Sequence, residues 1–381
     1  MFPTTTQELL LQSAILPDQV ALSAWREWKG QTDLEKDIDI GSYRLLPLVY
    51  KNLQTLGVEE PWMGKLKGIY RLTWYKNQAL FRSAATIIDN FHQAQIQTMI
   101  LKGAPLIVNY YQDFGVRPMN DLDILVPTNK KDEAIELLLQ LGWKPMQFHW
   151  KDFNKERMVY RHAWGFVNPS GQSIDLHWHV FSLSTEKDSD VTYWDVSTPI
   201  SLLNVTTLTL DATNMLLHVC VHGGQWDISS SIRWIPDAFY ILSRAQLKIN
   251  WDRLVNQAED KRFIVPLRLA LSYLRDRFNA PIPDEVLSAL SKIKTSRTDE
   301  KLFRTISRQP TFLGNLPMYW YKYLRSLESQ EQKLDLSNLL GFINYLQKVK
   351  GVENKYDLVR WAFSRASLRI GRALRGMDQA A

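Results

Sequence analysis

The sequence predicts an α+β fold: an α/β core with a small mixed sheet, flanked by N-terminal helices and an all-α C-terminal region. Three observations predict it. Apolar residues recur at about 3.6-residue spacing from Thr6 to roughly Gln95, short strand-like runs alternate with helices in the middle third, and the helical rhythm returns from Asp211 onward. At 381 residues the chain exceeds the usual size of one compact core. Three regions are expected, at residues 1–95, 96–200 and 201–381.

Leu9, Leu10 and Ile15, then Val20, Leu22 and Trp25, then Leu45 to Leu56 mark successive helices. Pro17 with Asp18, and Gly41 with Ser42, separate them. A longer amphipathic helix runs from about Tyr75 to Gln95. The short run Gln97 to Leu101 reads as a first strand, Leu106 to Tyr111 as helix, and Asp121 to Val126 as a second strand stopped by Pro127. Asp132 to Leu141 is a helix closed by Gly142. Trp143 to His149, Met158 to Val167 and Ser173 to Val180 are further strands, the last two joined by the hairpin signal Asn168-Pro-Ser-Gly171. Ser182 to Pro199 is polar, without periodicity, and reads as a loop at a boundary. Asp211 is a good N-cap for a helix over Asn214 to His222. Helices follow at Pro236 to Leu242, Trp251 to Glu259, Ile264 to Phe278 and Pro283 to Lys292.

Composition removes several classes. The single cysteine, Cys220, lies in an apolar run and cannot form an internal bridge, which excludes a disulfide scaffold. The residues from Met1 to Leu16 lack the layout of a secretory signal, and no apolar run is long enough to span a bilayer, so a cytoplasmic location is expected. The formal charge of +6 suits phosphate-bearing ligands without requiring them. Fourteen tryptophans read mainly as core packing.

The chemistry concentrates in Ile100-Leu-Lys-Gly-Ala-Pro105, Arg117-Pro-Met-Asn-Asp-Leu-Asp-Ile-Leu-Val126 and Ser173-Ile-Asp-Leu-His-Trp178. Asp121 and Asp123 project from the same face of a strand, where two carboxylates repel unless a cation neutralises them. Magnesium takes one or two carboxylates together with substrate phosphates, and Asp175 is the third carboxylate that a two-ion site needs. Gly103, just ahead of a helix start, lets backbone amides approach a phosphate, while Lys102 and Arg117 bring full positive charge.

These segments resemble an uncharacterised nucleotidyltransferase family related to the polymerase-beta superfamily. The shared features are Leu101-Lys-Gly103, Arg117-Pro118, the Asp121 to Val126 strand and Ile174-Asp-Leu-His-Trp178. The likeness extends to Arg44-Leu-Leu-Pro-Leu-Val-Tyr50, to Leu216-Leu-His218 with His222-Gly223, and to Trp234-Ile-Pro-Asp237. In one respect this chain departs from the wider superfamily: Gly103 precedes Asp121 by 18 residues, a longer spacing, and no serine follows the glycine.

The resemblance implies transfer of a nucleoside monophosphate from a triphosphate, with ATP the expected donor, to a hydroxyl acceptor on a small molecule, protein or RNA. Asp121, Asp123 and Asp175 would be both the catalytic residues and the ligands of two magnesium ions. Lys102, Gly103, Arg117, His177 and His222 would bind the nucleotide, with Asp175 also helping to deprotonate the acceptor.

Other readings stand beside this one. Asp175, His177 and His179 alternate along one strand face, so zinc or iron is an alternative to magnesium. His218 and His222, one helical turn apart, read as partly buried histidines, the second bordering the cleft. A non-catalytic nucleotide-binding protein and an RNA-directed transferase are the alternative functions. Arg360, Arg365, Arg369, Arg372 and Arg375 follow a helical rhythm that could meet an anionic partner, although a solvated helix face explains the pattern as well.

Overall fold

The computed structural model describes residues 2–34, 36, 38–146, 158, 161–225, 232–308, 314–330, 332, 337–350 and 354. The C-terminal arginine series from Arg360 to Arg375 lies outside them. The chain divides into two compact units, one formed by Met1–Gln147 with His162–Lys294, the other by Phe148–Arg161 with Thr295–Ala381.

Seven strands form the sheet of the first unit: β1 (Met99–Leu101), β2 (Asp121–Leu125), β3 (Lys144–Pro145), β4 (Ala163–Val167), β5 (Ser173–His177), β6 (Thr198–Leu202) and β7 (Val205–Thr209). Their spatial order is β3-β4-β5-β2-β1-β7-β6. β2 runs parallel to β5, and β1 parallel to β7; the other neighbours are antiparallel. β1 lies centrally, and its three residues are wholly buried, as expected of a strand covered on both faces. The α+β class expected from the pattern is the class observed.

The hairpin between β4 and β5 closes as the sequence signals. The Asn168 side-chain oxygen accepts from the backbone of Ser170 at 3.0 Å and of Gln172 at 2.9 Å, and Gly171 adopts a φ of 78°. Within the expected strand from Trp143, only Lys144–Pro145 pairs among the described residues, at the sheet edge where proline is tolerated. The expected loop over Ser182 to Pro199 instead contains a short helix, Val191–Asp195, and ends in β6. β6 and β7 escape sequence reading because β7 buries the polar Thr207 and Thr209 on its inward face, and because their turn passes through Leu203 at a φ of 54°, with no glycine.

Helices α1 (Thr5–Ile15), α2 (Asp18–Gln31), α3 (Ile40–Tyr43), α4 (Leu46–Thr55) and α5 (Trp62–Gln93) precede the sheet. Trp25 and Trp28 stack at 5.4 Å, with Trp62 edge-on to both, so these tryptophans do serve packing. α6 (Gly103–Pro105) widens into a π-helical turn, Leu106–Tyr111. Two helices follow within the sheet region: α7 (Lys131–Gln140) and α8 (Val191–Asp195). α9 (Ala212–Gly223) is capped by Asp211, whose carboxylate accepts from the Asn214 amide at 3.2 Å. α10 (Trp234–Ala245), α11 (Trp251–Asp260), α12 (Ile264–Phe278) and α13 (Asp284–Lys292) complete the unit.

The described part of the second unit is helical: α14 (Arg297–Ile306), α15 (Leu316–Ser329) and α16 (Ser337–Lys350). Tyr323, Leu324 and Leu327 form its small core against Trp320, Phe342 and Tyr345. Among the described residues no helix is long and apolar enough to cross a membrane.

Candidate active site

The parallel register of β2 and β5 sets Asp123 beside Asp175 and Asp121 beside Ser173. Alternation then places Asp121, Asp123, Asp175 and His177 on one face of the sheet. Ligand atoms of Asp123, Asp175 and His177 lie within 4.8 Å of one another, close enough to share one cation. His177, expected beside Asp175, contacts Asp123 instead: its Nε2 is 2.9 Å from Oδ1. Its Nδ1 lies 3.3 Å from the His179 carbonyl oxygen. The carbonyl and the carboxylate both only accept, so each contact needs a proton on the ring nitrogen that faces it, and a cation held by Nε2 would take the place of the Asp123 contact. His179 turns away from this group, its Nδ1 2.6 Å from the buried Asp190 carboxylate. It therefore does not join Asp175 and His177 in a metal-ligand set.

The three carboxylates differ electrostatically. Asp121 is exposed at the start of β2 and Asp175 is half-buried; the protein packed around each raises its pKa, and repulsion from Asp123 raises both further. Burial acts on Asp123 in the same sense, but the Lys102 ammonium and His177 outweigh it and hold that carboxyl far below the usual carboxylate range. Lys102 forms an ion pair with Asp123 Oδ1. Asp123 is thus neutralised by the protein itself, whereas its two neighbours carry charge that an external cation would relieve. On the next strand, Gly165 makes room for one of them: a Cβ there would stand 3.0 Å from Asp175 Oδ1.

Lys102 and Gly103 form the corner between β1 and α6. Lys102 has a φ of 53° and a ψ of −115°, a conformation normally left to glycine and costly for a residue with a Cβ. Gly103 is required by its neighbours: an added Cβ would lie 2.5 Å from Met119 Sδ and 2.6 Å from Arg117 Nη1. The methionine tip can move, but Arg117 is pinned. Its Nε and Nη2 bond the two Asp237 oxygens at 2.7 and 2.8 Å, and Tyr111 donates to the same carboxylate at 2.9 Å. Gly103→Ala is therefore expected to destabilise the fold by about 1–3 kcal/mol, as overpacking does. It should also weaken triphosphate binding; thermal denaturation and calorimetric titration of the same variant measure the two effects.

A cavity of about 280 Å³ opens beside this corner, with Asp121, Asp123 and Asp175 in its lining. Lys102, Arg44, Arg117 and Arg233 line it too. Burial and the neighbouring Arg117 and Arg44 guanidiniums push Arg233 down to about 9, a sign of cations crowded where an anion would relieve them. His218 and His222 stack with ring centroids 5.8 Å apart. His218 is buried, which with the neighbouring His222 lowers its pKa; His222 keeps an exposed face on the cavity, where the protein packed around it and then Lys102 lower its pKa to about 3, so both rings are neutral at physiological pH.

The structure thus brings Asp121, Asp123, Asp175, Lys102, Gly103, Arg117 and His222 around one cavity, with His177 behind Asp123. Sequence reading did not assign Arg44, Arg233 or Asn77 to the site. The two arginines sit at the edges of segments already noted, Arg44-Leu-Leu-Pro and Trp234-Ile-Pro-Asp, where a cation was the available signal. Asn77 had none. Buried on α5, it donates to the carbonyls of Phe114 at 2.7 Å and Arg117 at 2.9 Å and accepts from the Met119 amide at 3.3 Å, holding the loop that delivers Arg117 and β2.

Residues 42–279, well over half of the chain, match a family described as uncharacterised nucleotidyltransferases. The chain belongs to that family. No curated protein matches it in sequence. Among solved structures, an antigenic nucleotidyltransferase-like protein from Paracoccidioides brasiliensis is similar at 14% identity and a TM-score of 0.36, over 57% of this chain and 94% of that one. That likeness bears on neither the activity nor its residues. Family membership establishes a nucleotidyltransferase-type chain, and the acidic cluster beside the arginines is the place where such chemistry fits.

Proposed function

We propose that this chain is a magnesium-dependent transferase of the polymerase-beta kind, moving a nucleoside monophosphate, with ATP as the first donor to test, onto a hydroxyl acceptor. The observation that carries the reading is the pairing of Asp123 with Asp175 across parallel strands, with Asp121 on the same face, in a cavity also lined by Arg44, Arg117 and Arg233.

The donor set fits a divalent cation. Its oxygens are hard ligands, and the surroundings of Asp121 and Asp175, first by desolvation and then by repulsion from Asp123, disfavour their charge until a cation balances it. Asp121, Asp123 and Asp175 would hold magnesium. When bound, the metal would neutralise these carboxylates and the donor phosphates. Arg44 and Arg233 would bind the phosphate oxygens, and Lys102, already at Asp123, would bridge carboxylate and phosphate. Arg117 has two of its nitrogens committed to Asp237, so it would offer Nη1 alone and otherwise fix the cavity wall.

In the transfer the acceptor oxygen forms a bond to the α-phosphorus, the bond from that phosphorus to the β-bridging oxygen breaks, and pyrophosphate leaves. Asp175, whose raised pKa suits a proton acceptor, would take the hydroxyl proton. His177 would keep Asp123 oriented, and neutral His222 would contact the donor without adding charge.

Calorimetric titration of the four ribonucleoside triphosphates, with magnesium, into the wild type and into Asp121→Ala/Asp123→Ala tests the reading. Magnesium-dependent binding lost in the double variant is expected. Absence of binding to the wild type would instead favour an interaction protein that retains the fold.

A further inference from the structure

α5 carries a second feature that the cavity does not use. Between Trp62 and Ile88 the helix contains Lys65, Lys67, Arg71, Lys76 and Arg82 and no aspartate or glutamate. All five cations are exposed, as are Leu72, Trp74 and Tyr75, the last at 70%. Lys67, Arg71, Trp74, Tyr75 and Arg82 recur at helical spacing on one outward stripe, while Leu66, Asn77, Leu80, Phe81 and Ala84 face the core. The cationic stretch from Lys65 to Arg82 extends about 26 Å at the rise of an α-helix.

Lys67, Arg71, Lys76 and Arg82 make no ion pair, and Trp74 and Tyr75 no ring contact, among the described residues. Buried aromatics elsewhere in this unit pair with one another, as Trp25 and Trp28 do. Two adjacent exposed rings set among unpaired cations form a surface suited to a ligand with regularly spaced negative charge and flat faces.

We propose that the outward face of α5 binds single-stranded nucleic acid, its lysines and arginines following the phosphates and Trp74 and Tyr75 stacking on unpaired bases. An anionic membrane would require a continuous apolar face to insert; here Leu72, Trp74 and Tyr75 are interrupted by charge, and Gly64 and Gly68 leave gaps. No α5 residue lines the candidate active site, so this inference is independent of the transferase reading.

The test is fluorescence anisotropy of the full chain with a labelled oligouridylate of about 20 nucleotides, a length exceeding the site size of typical single-strand binders. Lys67→Gln/Arg71→Gln/Arg82→Gln should reduce the slope of log affinity against log salt by about 2, the loss of three phosphate contacts. Trp74→Ala/Tyr75→Ala should weaken binding at least about fivefold and leave that slope unchanged. Circular dichroism checks that both variants keep the wild-type fold, as expected for exposed positions. Failure of the wild type to bind at low salt would overturn the proposal. So would wild-type affinity in both variants, or α5-dependent binding seen only with phosphatidylcholine vesicles containing phosphatidylserine.

Discussion

Asp175→Asn is expected to raise the Tm of the metal-free protein while weakening magnesium-dependent triphosphate binding by at least about a hundredfold, the upper end of what removing a residue supporting a metal costs. The two effects share one cause. Burial and the charge on Asp123 raise the pKa of Asp175, so its ionised form is unfavourable in the native state until a cation arrives. An isosteric amide removes the repulsion together with the ligand. The sign follows from linkage: a carboxyl whose native pKa is raised contributes stability that is complete below its unfolded pKa and is lost as pH rises through the native value. Metal-free wild type should therefore gain stability from Asp121 and Asp175 as pH falls through their raised native values toward the ordinary carboxylate range, and Asp175→Asn should flatten that gain. Asp123 behaves oppositely, since its depressed pKa supplies stability throughout the range above the ordinary carboxylate value. Differential scanning fluorimetry across pH, with and without chelator, reads these terms; a lower Tm for Asp175→Asn would show that no such repulsion exists.

Asp237→Ala is expected to cost about 3–5 kcal/mol, the size of breaking a buried ion pair by removing one partner. Arg117 and Asp237 are almost fully enclosed, and the carboxylate accepts from Arg117 twice and from Tyr111 once. The variant strands a guanidinium in the core beside Gly103. For a unit of this size the corresponding fall in Tm is about 10 °C. Arg117→Met/Asp237→Leu should recover most of the loss, because replacing both partners removes the uncompensated charge. Chemical denaturation of the single and double variants measures the difference, and equal losses in the two would mean that the ion pair is not the source.

Residues 106–111 and 198–209 show where local pattern and structure part. The apolar run Leu106 to Tyr111 does coil, but as a wide π-turn that follows directly on the Lys102-Gly103 corner and α6. The β6–β7 hairpin is held by pairing with β1 and by a turn at Leu203, neither of which leaves a local signal. In contrast, the Asn168 to Gly171 turn and the Asp211 cap were readable, since a side chain bonding its own neighbouring backbone is encoded within a few residues.

The site divides in the same way. That Asp121 and Asp123 share a face follows from the two-residue period of a strand and needs no partner. That Asp175 stands beside Asp123, and that His177 turns to Asp123, depends on the parallel register of β2 with β5, which joins residues about 50 apart in sequence. Arg117 carries a sequence signal for phosphate binding, yet Asp237, 120 residues away, takes up two of its nitrogens. Asn77 lies on a helix whose period marks it only as buried; its three bonds to the 114–119 loop exist because folding brings that loop to α5.

By itself the sequence determined the α+β class and the strand that displays two carboxylates, because periodicity is a local property. The tertiary structure alone decided which carboxylate is neutralised by Lys102, which two retain unbalanced charge and which arginines gather around them. Those are properties of distance and burial among residues far apart in the chain, and a linear pattern does not carry them.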